Sequence, residues 1–320
     1  MPRARSAADA APASASAPTG SLAAVSNPLF LRKLARLHLR ARHTLSSRPG
    51  STPLPRGTQA SGIEVENYKA YGAGDDLRHL DWNAYGRLDQ LVVRTFRAER
   101  EAPLHLVVDV SASMAHPPGD DKFGFAIGLA ASLAYVSVHH HDPVCITAVS
   151  GRWRDGYQRS PQFRHRGTLQ EIHAFLFALQ AGGTTAIGPG IDAALGTQRP
   201  AGLAVVISDF LAPPAAYEAA LLALVARRLT VVVVRVIGAD ERDPTRLFRR
   251  GELVDAESGR RRLIRLTAAN VARYEHNLSA HLAHLRSFCD RHGIACCIAD
   301  TGAGLEQALF RDLPAVGVLR

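Results

Sequence analysis

Short runs that are apolar on consecutive positions alternate along this chain with stretches whose apolar positions recur every three or four residues. The runs at 104–109, 143–149, 203–208, 230–237 and 293–299 are rich in Val, Ile, Ala and Leu and read as buried strands. The segments 122–140, 168–180, 187–196, 214–227, 267–292 and 304–311 read as helices. Repeated strand–helix alternation with strands apolar on both faces predicts an α/β fold, a mainly parallel sheet flanked by helices. Upstream the pattern changes. Residues 1–26 are rich in Ala, Ser and Pro and read as a disordered tail. Asn27 caps a helix expected over 28–42, with Pro28 at its first position and Phe30, Leu34, Leu37 and Ala41 as the stripe that packs on the body. A Gly/Pro/Ser loop at 45–62 leads to strands near 63–69 and 90–98. A hairpin is expected over Glu252 to Leu266, centred on Ser258-Gly259 and pairing with the strands before residue 101 in a small β subdomain. The expected division is a tail at 1–26, an N-terminal region at 27–101, and a main domain at 102–314 with a hairpin insert near 242–266.

Chemistry concentrates where the apolar runs end. Asp109-Val-Ser-Ala-Ser-Met114 follows the first buried strand and sets one carboxylate and two hydroxyls on a tight loop. Gly182-Gly-Thr-Thr185 lies between two helical patterns, and Leu203-Ala-Val-Val-Ile-Ser-Asp209 is another buried strand ending in a carboxylate. Ligands of open α/β sheets collect outside the carboxyl ends of the strands, near a topological switch point. Hard oxygens with hydroxyls among them suit Mg²⁺ or Mn²⁺ over a soft metal.

These three pieces resemble the metal-ion-dependent adhesion site of von Willebrand factor A domains, in which DxSxS, a Thr and an Asp come together. The resemblance implies that Ser111, Ser113 and Thr184 bind the ion directly while Asp109 and Asp209 act mainly through bound water. It also implies an open coordination position that captures a carboxylate from a partner. A second signature lies upstream, Tyr71-Gly-Ala-Gly-Asp-Asp-Leu-Arg-His-Leu-Asp-Trp-Asn-Ala-Tyr-Gly-Arg87, followed by Val93-Arg-Thr-Phe-Arg-Ala-Glu-Arg100. It resembles the bacterial family catalogued as domain of unknown function fifty-eight, over roughly Asn27 to Pro314. That family places a GDDxRxxDW segment before a von Willebrand factor A-like domain. The resemblance implies a MoxR-type AAA+ ATPase as partner, with this chain as adaptor or substrate-recognition subunit gripping a client through an acidic side chain. Many relatives carry membrane helices ahead of the motif; no comparable apolar run precedes it here.

Composition narrows the classes. With 320 residues and 47% hydrophobic content, the chain can bury one large domain and a smaller attachment. Cys145, Cys289, Cys296 and Cys297 lack CxxC spacing and read as buried free thiols of a reducing, cytoplasmic protein. The net charge of +9 is uneven: residues 1–60 hold nine Lys/Arg against Asp9 alone, and residues 242–265 hold eight Arg against four acids. The clusters suit an acidic partner, nucleic acid or an anionic surface, yet aromatics are only 6% and are not interleaved with them, which disfavours nucleic-acid binding. There is no GxxxxGK[ST] and no GxSxG, so neither nucleotide hydrolysis nor acyl transfer is expected and the chain reads as a non-enzyme. A metal-dependent phosphoester hydrolase using the same ion as Lewis acid is the alternative. His139-His140-His141 closes a helix, where cations suit the dipole. His281 and His284, one helical turn apart, read as surface or satisfied histidines. Asp75, Asp76, Arg78, Asp81 and Arg87 around Trp82 read as an ion-pair network that fixes the N-terminal region.

Overall fold

The computed structural model describes residues 27–40, 64–72, 77, 80–97, 103–195, 202–246 and 250–320. In chain order the elements are α1 (Pro28–Leu34), β1 (Glu64–Ala70), α2 (Trp82–Leu88), β2 (Val92–Arg97), β3 (Leu104–Asp109), α3 (Lys122–His139), β4 (Val144–Val149), β5 (Tyr157–Arg159), α4 (Leu169–Phe177), α5 (Ile187–Leu195), β6 (Leu203–Ser208), α6 (Glu218–Ala226), β7 (Thr230–Ile237), α7 (Ala239–Arg242), β8 (Arg250–Val254), β9 (Arg261–Arg265), α8 (Ala268–Arg291) and β10 (Ala295–Asp300). Helical turns from Gly304 to Ala315 follow. By its contacts the chain forms two units, 44–101 and the remainder.

The larger unit is built on a six-stranded sheet of order β10-β7-β6-β3-β4-β5. Every pair is parallel except β4 with β5, which closes one edge in antiparallel register. Strand alternation sorts the core into two layers. Leu104, Leu106 and Val108 of β3 join Leu203, Val205 and Ile207 of β6 on the face covered by α3. Val107, Ala204, Val206, Val231 and Val233 face the opposite layer with α5, α6 and the end of α8. Both faces of the central strands are therefore dry, which is the all-apolar pattern read from the sequence. Chain order runs from β3 outward to β4, then returns across β3 to β6 and on to β7 and β10. The reversal falls between β3 and β6, so their carboxyl ends flank the switch point.

Helix α3, with the turn before it, spans Pro118–His139 and has the length and mean hydropathy (1.2) to cross a membrane, but 83% of that window is buried in the body. It is the central core helix. Helix α1 is shorter than the pattern predicts. It stops at Leu34, and the chain then extends so that His38 and Arg40 donate backbone hydrogen bonds to the Arg320 and Val318 carbonyls at 3.1 and 2.9 Å. Leu37 stays in the core on this extended segment, together with Phe30 and Leu34. Ala41 lies outside the described residues.

The smaller unit contains β1 and β2, paired antiparallel with an irregularity between Val65 and Asn67, and α2, which the sequence reading did not anticipate. Asp81 caps α2 by accepting the Asn83 and Ala84 amides at 3.0 and 3.1 Å, and Trp82 is 67% exposed. Asp75, Asp76 and Arg78 lie outside the described residues. The hairpin around Ser258-Gly259 forms as expected, with Gly259 at φ +67°. Its expected pairing with β1 and β2 does not: β1–β2 and β8–β9 are separate two-stranded sheets. β8 finds its partner across a turn of a few residues, and closing a short loop costs less chain entropy than closing a long one.

Candidate functional site

Strand alternation places the site. Asp109 continues the Val107 side of β3, and Ser208 continues the Ala204 and Val206 side of β6, one position beyond the last register pair of the two strands. Their side chains meet there: the Ser208 hydroxyl donates to Asp109 Oδ2 at 2.6 Å, and the Ser111 amide donates to Asp109 Oδ1 at 2.9 Å. Ser111 is fully buried, and its hydroxyl lies 3.0 Å from that of Ser113. The DxSxS loop is tied to the 182–185 loop by two backbone bonds, Gly182 N to Val110 O and Ala112 N to Gly183 O, both 2.8 Å. Gly183 has φ +76°, and a Cβ there would sit 2.6 Å from the Arg152 nitrogen, so glycine is what lets the 182–185 loop lie against the turn that follows β4. Thr184 is exposed, with its hydroxyl over Gly151: a Cβ added to Gly151 would fall 2.2 Å from Thr184 Oγ1.

The five residues singled out by the resemblance thus divide. Asp109, Ser111 and Asp209 are buried beneath the surface, whereas Ser113 and Thr184 line an open trough of about 770 Å³. Thr185, Pro117, Leu211 and the β8–β9 turn line it too.

Around Asp209 the structure holds an ionic cluster that the sequence reading missed. Lys122 Nζ, wholly buried at the start of α3, reaches Asp209 Oδ2 and Glu241 Oε2, each at 2.9 Å. Arg235 of β7 donates from Nη2 to Glu241 Oε1 at 3.0 Å and from Nε to the Asp209 carbonyl at 3.1 Å. Arg235 Nη1 is left without a partner among the described residues. Asp120 is also buried, but it is answered by backbone donors, the Asp240 and Glu241 amides at the start of α7 at 2.8 and 2.9 Å. That fit explains Gly238, where a Cβ would lie 1.9 Å from the Asp120 carboxyl carbon. Burial alone would depress the Lys122 ammonium, but Asp209 and Glu241 more than offset it and hold its pKa above the ordinary lysine value. Burial raises Glu241, opposed by Lys122 and Arg235.

Counting side chains, two buried cations, Lys122 and Arg235, face three carboxylates, Asp209, Glu241 and Asp109. Both cations bond to Asp209 or Glu241, which leaves Asp109 as the uncompensated charge. Burial first, and the Asp209 charge second, push its carboxyl up to about 7 against the Ser208 and Ser111 hydrogen bonds. Among the described residues no cluster of three or more His, Cys, Asp or Glu is arranged to hold a metal, so an ion here would depend on hydroxyls. The donors fit that demand: the excess negative charge sits below, and the Ser111 and Ser113 hydroxyls lie together between it and the trough.

Other candidates have ordinary partners. His281 Nε2 lies 2.6 Å from the Phe210 carbonyl, and His284 Nε2 lies 2.8 Å from Glu218 Oε1. His140 Nε2 lies 2.8 Å from the Leu37 carbonyl and stacks near His38, with centroids 3.9 Å apart.

The model of the family described as "Protein of unknown function DUF58" matches residues 67–301. Uncharacterized proteins of Mycobacterium bovis and Mycobacterium tuberculosis are 30% identical over 201 residues, 62% of this chain. The match likewise spans 62% of the length of these curated relatives. Among solved structures, BatB from Bacteroides thetaiotaomicron aligns at 15% identity over 68% of this chain and 98% of its own, with a TM-score of 0.41. An aerotolerance-related membrane protein from Bacteroides fragilis aligns at 18% identity over 59% of this chain and 99% of its own, with a TM-score of 0.33.

Proposed function

The chain belongs to the DUF58 family, and on that premise we propose that it is a non-enzymatic, divalent-cation-dependent protein-interaction module. The observation that carries this reading is the uncompensated Asp109 carboxylate beneath the Ser111–Ser113 hydroxyl pair at the switch point of the sheet. Ser111, Ser113 and Thr184 would hold Mg²⁺ or Mn²⁺, with Asp109 and Asp209 behind them. The ion would supply a concentrated positive charge at the floor of the trough, able to accept one more oxygen from outside. Lys122 and Arg235 keep Asp209 and Glu241 in place, so that the chain spends no separate ligand on balancing those acids.

The matching partner is a client protein that presents an Asp or Glu, and the resemblance to its family implies a MoxR-type AAA+ ATPase as the motor this chain serves. Calorimetric titration with Mn²⁺ tests the cation half. Binding to the wild type that disappears in Asp109→Ala supports the reading, and equal affinity in the two proteins sinks it. Co-purification with the MoxR-type ATPase of the same organism, with and without EDTA, tests the partner half; a complex indifferent to EDTA would remove the cation from the interaction.

A further inference from the structure

The turn of the β8–β9 hairpin reaches into the trough beside the hydroxyl cluster. Within 255–260 every residue is exposed except Glu257, which is half-buried. Its carboxylate closes on Thr185 with both oxygens: Oε2 accepts the backbone N–H at 3.2 Å and Oε1 accepts the side-chain hydroxyl at 2.8 Å. Thr185 adjoins Thr184, so an acidic side chain of this chain already holds the loop from which the cation would draw its third ligand. The turn is shaped for this by its own bonds. Asp255 Oδ1 accepts the Glu257 and Ser258 amides at 3.1 and 2.6 Å.

The rest of the hairpin is weakly held. Leu253, Val254 and Leu263 are 44%, 50% and 73% exposed, so burial of apolar surface contributes little to keeping it in place. Leu253 and Val254 instead line the trough, as do Leu211 and Pro213. A trough lined both by donors that hold a carboxylate and by apolar side chains suits an extended segment in which a carboxylate is flanked by apolar side chains.

We propose that Glu257 is a resident carboxylate, an internal competitor that an external acidic–apolar peptide must displace from the 182–185 loop in order to bind. The proposal rests on the reading of Ser113 and Thr184 as cation ligands. A tethered group acts at an effective concentration of about millimolar, so the turn is docked about nine-tenths of the time if its contacts with the 182–185 loop correspond to an intermolecular Kd of about 0.1 mM. If the turn is docked about nine-tenths of the time, the apparent affinity for the external acid falls about tenfold. The hairpin then sets a threshold: isolated carboxylates are rejected, and only a peptide that also covers Leu211, Leu253 and Val254 displaces Glu257.

The test uses the full chain, Mg²⁺, and a fluorescent acetyl-Ala-Leu-Glu-Leu-Ala-amide probe, with its Gln counterpart as control. Fluorescence anisotropy should show Glu257→Ala binding the Glu probe about tenfold tighter than the wild type, and neither protein binding the Gln probe. Hydrogen exchange in the wild type should quicken over residues 250–265 as the probe saturates. A variant that binds no tighter than the wild type, or more weakly, overturns the proposal, because Glu257 is then a brace or part of the binding surface. Absence of probe binding to both proteins overturns it as well. Mn²⁺ calorimetry on the same samples separates the two failures, since retained ion binding leaves the cation reading intact while the competitor falls.

Discussion

The two buried acids at the carboxyl edge of the sheet differ in what answers them. Asp209 meets an ammonium at 2.9 Å and belongs to a closed cluster with Glu241 and Arg235. Asp109, one strand over, is met by the Ser208 hydroxyl and by Ser111 rather than by a cation, and its carboxyl rises to about 7. A protein that needed only to fill this edge could have given both acids a cation or replaced both. Compensating one and leaving the other short concentrates the unmet charge under the serine hydroxyls. The cluster is scaffold; the deficit is where the proposed ion would act.

The largest expected effect breaks the compensated side. Lys122→Met strands the buried Asp209 carboxylate and leaves Glu241 to Arg235 alone, and losing one partner of a buried pair costs about 3–5 kcal/mol. Urea denaturation measures it; a loss below about 1 kcal/mol would mean that the cluster is wet or able to rearrange.

The next prediction concerns the deficient side. The folded Asp109 carboxyl is raised above its ordinary value of 3.8 to about 7, so in that window the folded chain holds a proton that the unfolded chain has released. Its contribution to stability therefore falls as pH rises from about 4 to about 7, and the full penalty stands above 7. Asp109→Asn should remove this slope and stabilise the metal-free protein at pH 8 by about 1–3 kcal/mol, part of the gain being lost with the Ser208 hydrogen bond. Urea midpoints at pH 5 and pH 8 read the effect, and a slope that survives in the Asn variant would place the titration elsewhere. Mn²⁺ should raise the melting temperature of the wild type at pH 8 and leave that of Asp109→Asn unmoved.

The smallest effect on stability sharpens the contrast most. Ser113 is half-buried and, among the described residues, its hydroxyl meets only Ser111, so Ser113→Ala should change stability by less than about 1 kcal/mol. Mn²⁺ affinity should nevertheless weaken about tenfold by calorimetry. Equal affinity would exclude this hydroxyl as a ligand.

Much of this edge was legible because it is local. DxSxS occupies one loop, the Gly-Gly-Thr-Thr loop another, and each buried acid ends an apolar run. The compensating cluster was not, since Lys122 reaches partners 87 and 119 residues away and nothing near it in sequence marks it as buried. Arg235 was the available clue: a lone cation inside the apolar run Thr230–Ile237 has to be paired if that run is a central strand. Glu257 gave no signal, because a turn acid is ordinary until its neighbour across the trough is known. The helix over 28–42 failed for a different reason. The apolar period continues through Leu37, but backbone pairing with residues 318–320 draws the chain straight after Leu34. The β8–β9 hairpin was read from its turn, yet no sequence pattern specified which ribbon, if any, it would join.

That pairing near residue 38 has a consequence for synthesis. Leu39 bridges Leu319, and Phe30 meets Phe310 edge to face with ring centroids 6.2 Å apart. The first described helix packs on α3, about 90 residues on, but completes the burial of Phe30 only after about 270 further residues have left the ribosome. Until then a greasy, basic segment is only partly covered. Contacts of such long sequence separation form late and slowly. A nascent chain halted anywhere before residue 310 should thus be a ready substrate for holding chaperones.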